Sequence, residues 1–230
     1  MPLPYPKAVL FDLDGTLADT APDLANAVNR LRVSRGLHAL PYEVLRPVAS
    51  AGARGLVGVA FGIGADDQRY VALRDEFLKN YETDIAVDSR LFDGIAPLLL
   101  ALENAGIAWG IVTNKIAHLT GLLVPQIGLA HAACMVSGDT TPFSKPHPAP
   151  LIEACKQMNI RPEDCWYVGD DLRDIQAGVA AGMTTVAAGW GYCGDTPPAA
   201  WEADAVANSP SSLLHLIEQA GLESPTADAI

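Results

Sequence analysis

Residues 7–20 read KAVLFDLDGTLADT, and this stretch places two aspartates directly after a short apolar run and then turns at Gly15. The apolar run, residues 8–11, is typical of a buried β-strand, at whose end an unpaired charge is costly. Residues two apart in an extended chain project to the same side, so Asp12 and Asp14 can face one crevice at the end of this strand. The stretch therefore predicts a ligand that compensates both carboxylates.

The composition indicates a folded, acidic protein. The chain has 230 residues, of which 50% are hydrophobic, and this suits one domain with a smaller inserted or appended one. The formal net charge is −12, with only 15 lysines and arginines. A broad cationic surface that binds nucleic acid is therefore not expected.

Cysteine spacing and apolar runs indicate a reducing compartment and no membrane segment. The four cysteines include no CxxC pair, which argues against a zinc knuckle or a redox motif. The first seven residues hold three prolines and no long apolar region, and the longest nearly uncharged run, residues 48–65, is interrupted by Arg54. We therefore expect no secretory signal, no spanning helix and a cytoplasmic location.

Strand and helix patterns alternate over most of the chain. Helical patterns lie between and after most of the short β-rich apolar runs, which predicts a parallel sheet covered by helices on both faces. Residues 20–91 instead show apolar residues at helical spacing and no confident strand, so they predict a helical insertion after the first strand. The predicted strands are residues 8–11, 108–112, 133–136, 166–168 and 184–188.

Helix ends can be predicted at several places. Residues 171–182 have an acidic start and a glycine stop, which predicts a helix between them. The segment SPSSLLHLIEQAG, residues 209–221, predicts a final helix with serine caps and Gly221 at its end. Thr16 and Asp19 are expected to cap the helix that follows them.

A second acidic group follows a later strand. The segment VGDDLRD places Asp170, Asp171 and Asp174 after the predicted strand that ends at Val168. The crevice at the carboxyl ends of parallel strands is where open α/β sheets bind ligands, so the two acidic groups can converge there. A hard divalent ion with oxygen ligands usually compensates clustered carboxylates, and magnesium is the expected ion.

Two further segments have groups that can bind a phosphate. Such a phosphate could complete the coordination shell of the magnesium ion. GIVTNK places Thr113 at a strand end, where its hydroxyl and the next amides, beginning with that of Asn114, can donate to phosphate oxygens. FSKPHP offers Lys145, between Ser144 and Pro146, as a fixed positive charge.

Four segments together resemble the motifs of a known superfamily. DLDGT, the strand-end Thr113, Lys145 in SKPHP and GDDLRD resemble, in order and spacing, the four motifs of the haloacid dehalogenase superfamily of phosphohydrolases. The resemblance spans almost the whole chain. It implies an α/β fold with a Rossmann-like parallel-sheet core, residues 1–19 and 92–225, and an inserted helical cap domain, residues 20–91, that closes over the site.

The resemblance also implies roles for the motif residues. Asp12 would be the nucleophile that forms an aspartyl-phosphate, and Asp14 would protonate the leaving group and then take a proton from water. Thr113 and Lys145 would stabilise the transferring phosphoryl group, and Asn114 would bind substrate. The dehalogenases that name the superfamily lack an acid at the position of Asp14, so its presence favours phosphoryl chemistry.

The same resemblance implies a magnesium site. The ion would be held by the Asp12 side chain, the backbone carbonyl of Asp14 and Asp170. Asp171 or Asp174 would contact these ligands and hold them in position.

The expected substrate is a small phosphorylated metabolite. Only 31 residues separate Thr113 from Lys145, too few for the large second cap of some relatives, and a lone helical cap favours a small substrate. FDLDGTLADTAPDL and TNK resemble bacterial phosphoglycolate phosphatases, which implies hydrolysis of 2-phosphoglycolate to glycolate and phosphate. VASAGARGLV, LRDEFLKNYETDIAVDSRLFDGI and WGIVTNK look more like the related N-acetylmuramic acid 6-phosphate phosphatases, which is the alternative.

Both substrates carry a carboxylate besides the phosphate. A turn at Gly52 can present Arg54 to that carboxylate as a bidentate partner, although Arg54 can equally cap a helix or be solvated. A phosphoglucomutase-type phosphotransferase and a sugar-phosphate binder without activity also remain open, as does the oligomeric state.

Two other features predict neighbours of the site. GWGYCG, residues 189–194, fits GxGxxG after a strand, but DTPPAAW follows in place of the required helix. We therefore expect a loop beside the site and not a dinucleotide site. His147 is expected to be a solvated or capping histidine.

Overall fold

The computed structural model describes residues 3–194 and 196–223. The outermost positions of the predicted core, residues 1–2 and 224–225, lie outside this part of the chain. The strands are β1 Ala8–Phe11, β2 Ala18–Asp19, β3 Arg90–Leu91, β4 Ala108–Val112, β5 Met135–Val136, β6 Cys165–Gly169, β7 Thr184–Ala188 and β8 Ala205–Ala207. The α-helices are α1 Ala21–Val33, α2 Tyr42–Leu45, α3 Gly52–Phe61, α4 Tyr70–Thr83, α5 Ile95–Asn104, α6 Ala117–Gln126, α7 Ala149–Met158, α8 Leu172–Ala181 and α9 Pro210–Glu223.

Six strands of the described chain form one parallel sheet in the order β5-β4-β1-β6-β7-β8. β1 lies between β4 and β6, and all four of its residues are buried. Val9 and Phe11 belong to one apolar cluster, whereas Ala8 and Leu10 belong to another, as expected for a strand with a packed layer on each face. The predicted α/β fold with a parallel sheet is confirmed.

The register of the sheet aligns the ends of its three central strands. Phe11, the last residue of β1, pairs with Ile111 of β4 and with Val168 of β6. The segments that follow these strands therefore leave the sheet at the same edge. Both acidic groups and the segment that begins at Thr113 emerge at this edge.

Four helices, α1 to α4, occupy most of the segment between β2 and β3. Leu24, Leu73 and Phe77 share one buried cluster, because α1 packs against both α3 and α4. β2 and β3 pair antiparallel at the two ends of this segment, with Ala18 opposite Leu91. The prediction of helices is confirmed, but it missed this ribbon because two-residue strands carry no alternating pattern.

Three details of the predicted elements are wrong. β5 contains only Met135 and Val136, and β8 was not predicted. Gly221 lies inside α9 and not at its end. A Cβ at Gly221 would lie 2.9 Å from Cε2 of Tyr5, so the glycine permits a close contact with that ring.

The predicted caps of two helices are confirmed. Ser212 N donates to Ser209 Oγ over 3.1 Å at the start of α9. Asp171 caps the N-terminus of α8, and Gly182 ends that helix with φ 78°.

The helical segment Tyr42–Phe61 has the length and the apolar composition of a helix that could cross a membrane. The structure divides this stretch among α2, a 3₁₀ helix at Arg46–Ala51 and α3, and Gly52 has φ 57° and ψ −143° between the last two. Leu45, Leu56 and Val57 are buried against the other inserted helices. The stretch is therefore not one continuous helix, and these three side chains pack within the chain.

Candidate active site

Asp12 and Asp14 follow the carboxyl end of β1, and both line one cavity. Asp12 is 8% exposed, and its Oδ1 lies 2.8 Å from Lys145 Nζ. Asp14 Oδ1 accepts a hydrogen bond of 2.5 Å from the Thr20 hydroxyl and lies 3.1 Å from Lys115 Nζ. The two carboxylates thus share a cavity but are each paired with a different lysine.

Lys145 is buried among four oxygen atoms. Its Nζ lies 2.8 Å from Asp12 Oδ1 and 2.7 Å from Asp174 Oδ1. It also lies 2.8 Å from the Tyr167 hydroxyl and 3.0 Å from the Val112 carbonyl oxygen. Burial acts to lower the pKa of Lys145, but Asp12 and Asp174 outweigh it and raise the pKa. The lysine is therefore the fixed positive charge that the sequence predicts.

β4 delivers Thr113 and Asn114 to the same edge of the sheet, and both line the cavity. Thr113 Oγ1 accepts a hydrogen bond of 3.1 Å from the backbone N–H of Lys115. The Asn114 side chain donates to the Lys145 carbonyl oxygen and accepts from the Lys145 backbone N–H, both over 3.0 Å. Asn114 thus fastens the loop that carries Lys145, here called the lysine loop, to the end of β4.

Asp170 follows β6 and is fully buried. Its Oδ1 accepts from the Thr16 hydroxyl over 3.0 Å, and its Oδ2 accepts from the Ser50 hydroxyl over 3.0 Å and from Tyr192 N over 2.9 Å. A Cβ at Gly15, which has φ 86°, would lie 2.1 Å from Asp170 Oδ2. Only glycine allows the turn after Asp14 to close on this carboxylate.

Three buried carboxylates form a cluster. Oxygen atoms of Asp12, Asp170 and Asp174 lie within 4.8 Å of one another. Asp174 also accepts from Asp171 N over 3.1 Å, whereas the Asp171 carboxylate pairs with Arg173, whose Nε lies 2.8 Å from Asp171 Oδ1. The sequence left open whether Asp171 or Asp174 lies closer to the other carboxylates, and Asp174 is the one that belongs to the cluster.

The electrostatics of this cluster suit a divalent cation. Burial raises the pKa of Asp12 to about 7, with Lys145 opposing the shift and Asp174 adding to it. Burial, with contributions from Asp12 and Asp174, raises the pKa of Asp170 to about 8. One lysine does not offset three buried carboxylates, so a hard cation with oxygen ligands fits this donor set.

Comparison with known families identifies the chain. Residues 9–188 match the family model of haloacid dehalogenase-like hydrolases. The chain belongs to this hydrolase family.

Related proteins agree with this haloacid dehalogenase-like assignment. A phosphoglycolate phosphatase from Xanthomonas campestris is 47% identical over 211 residues, 91% of this chain and 95% of that protein. An N-acetylmuramic acid 6-phosphate phosphatase from Pseudomonas putida is 43% identical over 216 residues, 93% of this chain and 97% of that protein. The crystal structure of a predicted phosphoglycolate phosphatase from Haemophilus somnus has a TM-score of 0.82 at 27% identity, covering 92% of this chain and 98% of that one. The predicted superfamily, fold and phosphatase class are confirmed.

The cavity of this haloacid dehalogenase-like chain has a volume of about 270 Å³ and lies between the sheet edge and the inserted helices. Gly52, predicted to contact substrate, lines it. Arg54 is exposed on α3 and lies outside its lining. Arg54 therefore does not line the cavity in this arrangement, and its contact with the substrate stays a prediction.

Four polar residues of the cavity wall were missed by the sequence analysis: Ser50, Arg74, Lys115 and Arg173. Lys115 stands two residues after Thr113, so a reading of the whole TNK segment as one loop could have found it. Ser50 reaches Asp170 across 120 positions of sequence, and no spacing in the sequence signals such a contact.

The loop 189–194 lies beside the site, as predicted. A Cβ at Gly191 would lie 2.4 Å from the Gly15 carbonyl oxygen. The prediction that Thr16 and Asp19 cap α1 is wrong. The Tyr192 hydroxyl instead accepts from Thr20 N over 2.8 Å and from Ala21 N over 2.9 Å, and it donates to Asp19.

His147 is a capping histidine, as predicted. Its Nδ1 accepts from Ala149 N over 3.1 Å at the start of α7. The ring also stacks on Phe143 at a centroid distance of 4.4 Å.

Proposed function

We propose that this chain is a magnesium-dependent phosphomonoesterase that hydrolyses a small, carboxylate-bearing phosphate ester through an aspartyl-phosphate. The observation that carries the proposal is the convergence of Asp12, Lys145 and Asp170 at one edge of the sheet. Asp14 and Thr113 line the cavity that opens there. A nucleophile, an acid and a set of phosphate-binding groups thus lie around one small space.

In the first step, an Asp12 carboxylate oxygen attacks phosphorus while the bond from phosphorus to the leaving oxygen breaks. Asp14 donates a proton to that leaving oxygen. Lys145, held by its four oxygen neighbours, and the Thr113 hydroxyl offset charge on the transferring group. These groups are fixed before the reaction, so little reorganisation is needed.

In the second step, water attacks the phosphorus of the aspartyl-phosphate. Asp14, now a carboxylate, accepts a proton from that water, and the bond between phosphorus and Asp12 breaks. Phosphate leaves, and Asp12 is restored as a carboxylate. Asn114 holds the lysine loop against β4 through both steps.

Asp12, Asp170 and the backbone carbonyl of Asp14 would hold the magnesium ion. Bound magnesium supplies positive charge that favours phosphoryl transfer. Asp174 supports the site by holding Lys145 and capping α8, and Asp171 supports it through that same cap. The raised pKa values of Asp12 and Asp170, which are due mainly to burial, support this assignment, because a bound cation would favour the charged forms of these buried carboxylates.

We assign residues 20–91 as a cap domain and residues 1–19 and 92–225 as the core domain. The β2–β3 ribbon supports these boundaries, since its strands end at Asp19 and Leu91. Ser50 and Tyr81 of the cap contact Asp170 and Lys115 of the core. A cap in this position excludes water from the reacting groups.

The proposed substrate is 2-phosphoglycolate, as in the Xanthomonas campestris relative. The cavity of about 270 Å³ is slightly smaller than typical ligand pockets, which have volumes of about 300–1,000 Å³, and this favours a small metabolite. N-acetylmuramic acid 6-phosphate is the second candidate, because the Pseudomonas putida relative that acts on it is nearly as similar. The cavity wall also contains apolar side chains, among them Leu24, Phe77 and Ile116, that suit a larger, partly apolar group.

A cytoplasmic location and a small-molecule partner complete the proposal. The four cysteines are free, and Cys134, Cys155 and Cys165 are buried, which is typical of proteins from reducing compartments. The net charge of −12 does not favour nucleic acid as a partner.

The test is phosphate release from the two candidate substrates, measured side by side with magnesium and after chelation. We expect metal-dependent release and a higher kcat/KM for 2-phosphoglycolate. A higher kcat/KM for the amino-sugar phosphate would select the second candidate. No metal-dependent release from a broad panel of phosphate esters would contradict the proposal and favour a binding protein, and a requirement for a sugar bisphosphate would favour a phosphotransferase.

A further inference from the structure

Lys115 is a buried cation in the cavity wall that the mechanism above does not use. Its side chain is 7% exposed, and its Nζ lies 3.1 Å from Asp14 Oδ1 and 3.1 Å from the Tyr81 hydroxyl. The same Nζ lies 4.4 Å from the centroid of the Tyr81 ring, within the range of a cation–π contact. The lysine thus bridges the proposed acid and α4.

A lysine ammonium group has three N–H donors. Among the described residues, the polar partners of Lys115 Nζ are Asp14 and the Tyr81 hydroxyl, which take two of them. Lys115 lines the cavity, so the third donor is available to a ligand there. A buried ammonium group of this kind binds an anion strongly because little water competes with it.

The position of Lys115 matches the chemistry of the substrate. Asp14 must lie next to the leaving oxygen to protonate it. Atoms attached to that oxygen therefore lie close to the partner of Asp14, which is Lys115. In 2-phosphoglycolate a single carbon separates the leaving oxygen from the carboxylate, so the carboxylate comes within reach of the ammonium group.

The other cations around the cavity are less suited to this task. Arg173 uses its guanidinium on Asp171 and on the carbonyl oxygen of Ser50. Arg74 pairs with Asp75, and its side chain is 40% exposed. Arg54 lies outside the cavity lining.

The geometry points to Lys115 as the residue that binds the substrate carboxylate. Lys115 thereby selects phosphate esters with a carboxylate close to the ester oxygen. This inference rests on the proposed function and names the specificity-determining residue of that site.

The test compares two substrates in the magnesium-loaded enzyme. The first is 2-phosphoglycolate, and the second is 2-hydroxyethyl phosphate, which has a neutral CH2OH group in place of the carboxylate. We expect Lys115→Met to lower the ratio of the two kcat/KM values about 10- to 100-fold, as for the loss of a hydrogen bond to a charged group, mainly through the KM for 2-phosphoglycolate. Any effect through Asp14 acts on both substrates and cancels in the ratio.

Lys79→Met is the matched control, because Lys79 is exposed on α4 and the substitution changes the charge equally. Its ratio should equal that of the wild type. Lys115→Gln, which keeps a donor but removes the charge, should also lower the ratio and serves if Lys115→Met does not fold.

Equal losses on both substrates would overturn the inference alone, because Lys115 would then act only through Asp14. A ratio that falls in Arg54→Met and not in the Lys115 variants would overturn it too. A wild-type enzyme that releases no phosphate from 2-phosphoglycolate would overturn the proposed function itself.

Discussion

Ser50 Oγ lies 3.0 Å from Asp170 Oδ2, so the inserted helical segment holds a carboxylate of the core cluster directly. We expect Ser50→Ala to weaken magnesium binding, because partners of a ligating carboxylate orient it and their loss costs about 10- to 100-fold in metal affinity. A magnesium titration of the activity measures this. Ser211→Ala, at an exposed serine of α9, is the control. Identical magnesium dependence in Ser50→Ala and wild type would contradict the assignment of Asp170.

Gly15 and Gly36 both have positive φ, 86° and 73°, but their surroundings differ. A Cβ at Gly15 meets Asp170 Oδ2 at 2.1 Å, whereas nothing lies within 4 Å of a Cβ at Gly36. Gly36→Ala should lower the free energy of unfolding by about 1–2 kcal/mol, the cost of the backbone conformation alone. Gly15→Ala should lower it further and abolish the magnesium-dependent activity. Equal free energies of unfolding in urea for the two variants would show that the turn does not press on Asp170.

The carboxylate cluster predicts how stability depends on pH without metal. The pKa of Asp12 is raised from 3.8 to about 7, and that of Asp170 to about 8. Between these values and 3.8 the folded state binds more protons than the unfolded chain, so the free energy of unfolding falls as pH rises through this window. Magnesium binds the deprotonated carboxylates and should therefore raise Tm more at a pH of about 8 than at about 6. A larger rise at the lower pH would argue against this metal site.

The role of Asp14 can be tested through the leaving group. A general acid contributes about 10²- to 10⁴-fold to the rate. Asp14→Asn should lower kcat/KM, which reports the first step alone, by that amount for an alkyl phosphate. The loss of kcat/KM should be much smaller for an aryl phosphate with an acidic phenol, which leaves without a proton. Equal losses for the two esters would assign Asp14 to another role.

The sequence predicted the elements that carry their own signal. β1 could be found because its residues form a continuous apolar run that is buried on both faces. α8 could be found because Asp171 and Gly182 mark its ends. β8 and the β2–β3 ribbon could not, since two or three residues give no periodicity and their pairing depends on distant chain segments.

The residues of the candidate site also fall into two groups, those with a signal in the sequence and those without one. Asp12 and Asp170 stand in motifs that directly follow predicted strands, so their convergence followed from the parallel sheet. Lys115 and Ser50 act through contacts across the cavity, with Tyr81 and with Asp170 respectively. Such contacts depend on how the inserted helices pack over the sheet, and residue spacing does not encode that packing.

The central claim is that Asp12 is the nucleophile, and Asp12→Asn tests it most directly. The substitution keeps the size of the side chain but removes the attacking oxygen anion, while Asp66→Asn makes the same change at an exposed aspartate. With saturating magnesium and Tm measured to verify folding, we expect phosphate release from 2-phosphoglycolate to fall about 10³-fold or more in Asp12→Asn and to be unchanged in Asp66→Asn. A folded Asp12→Asn variant that releases phosphate at the wild-type rate would contradict the covalent mechanism.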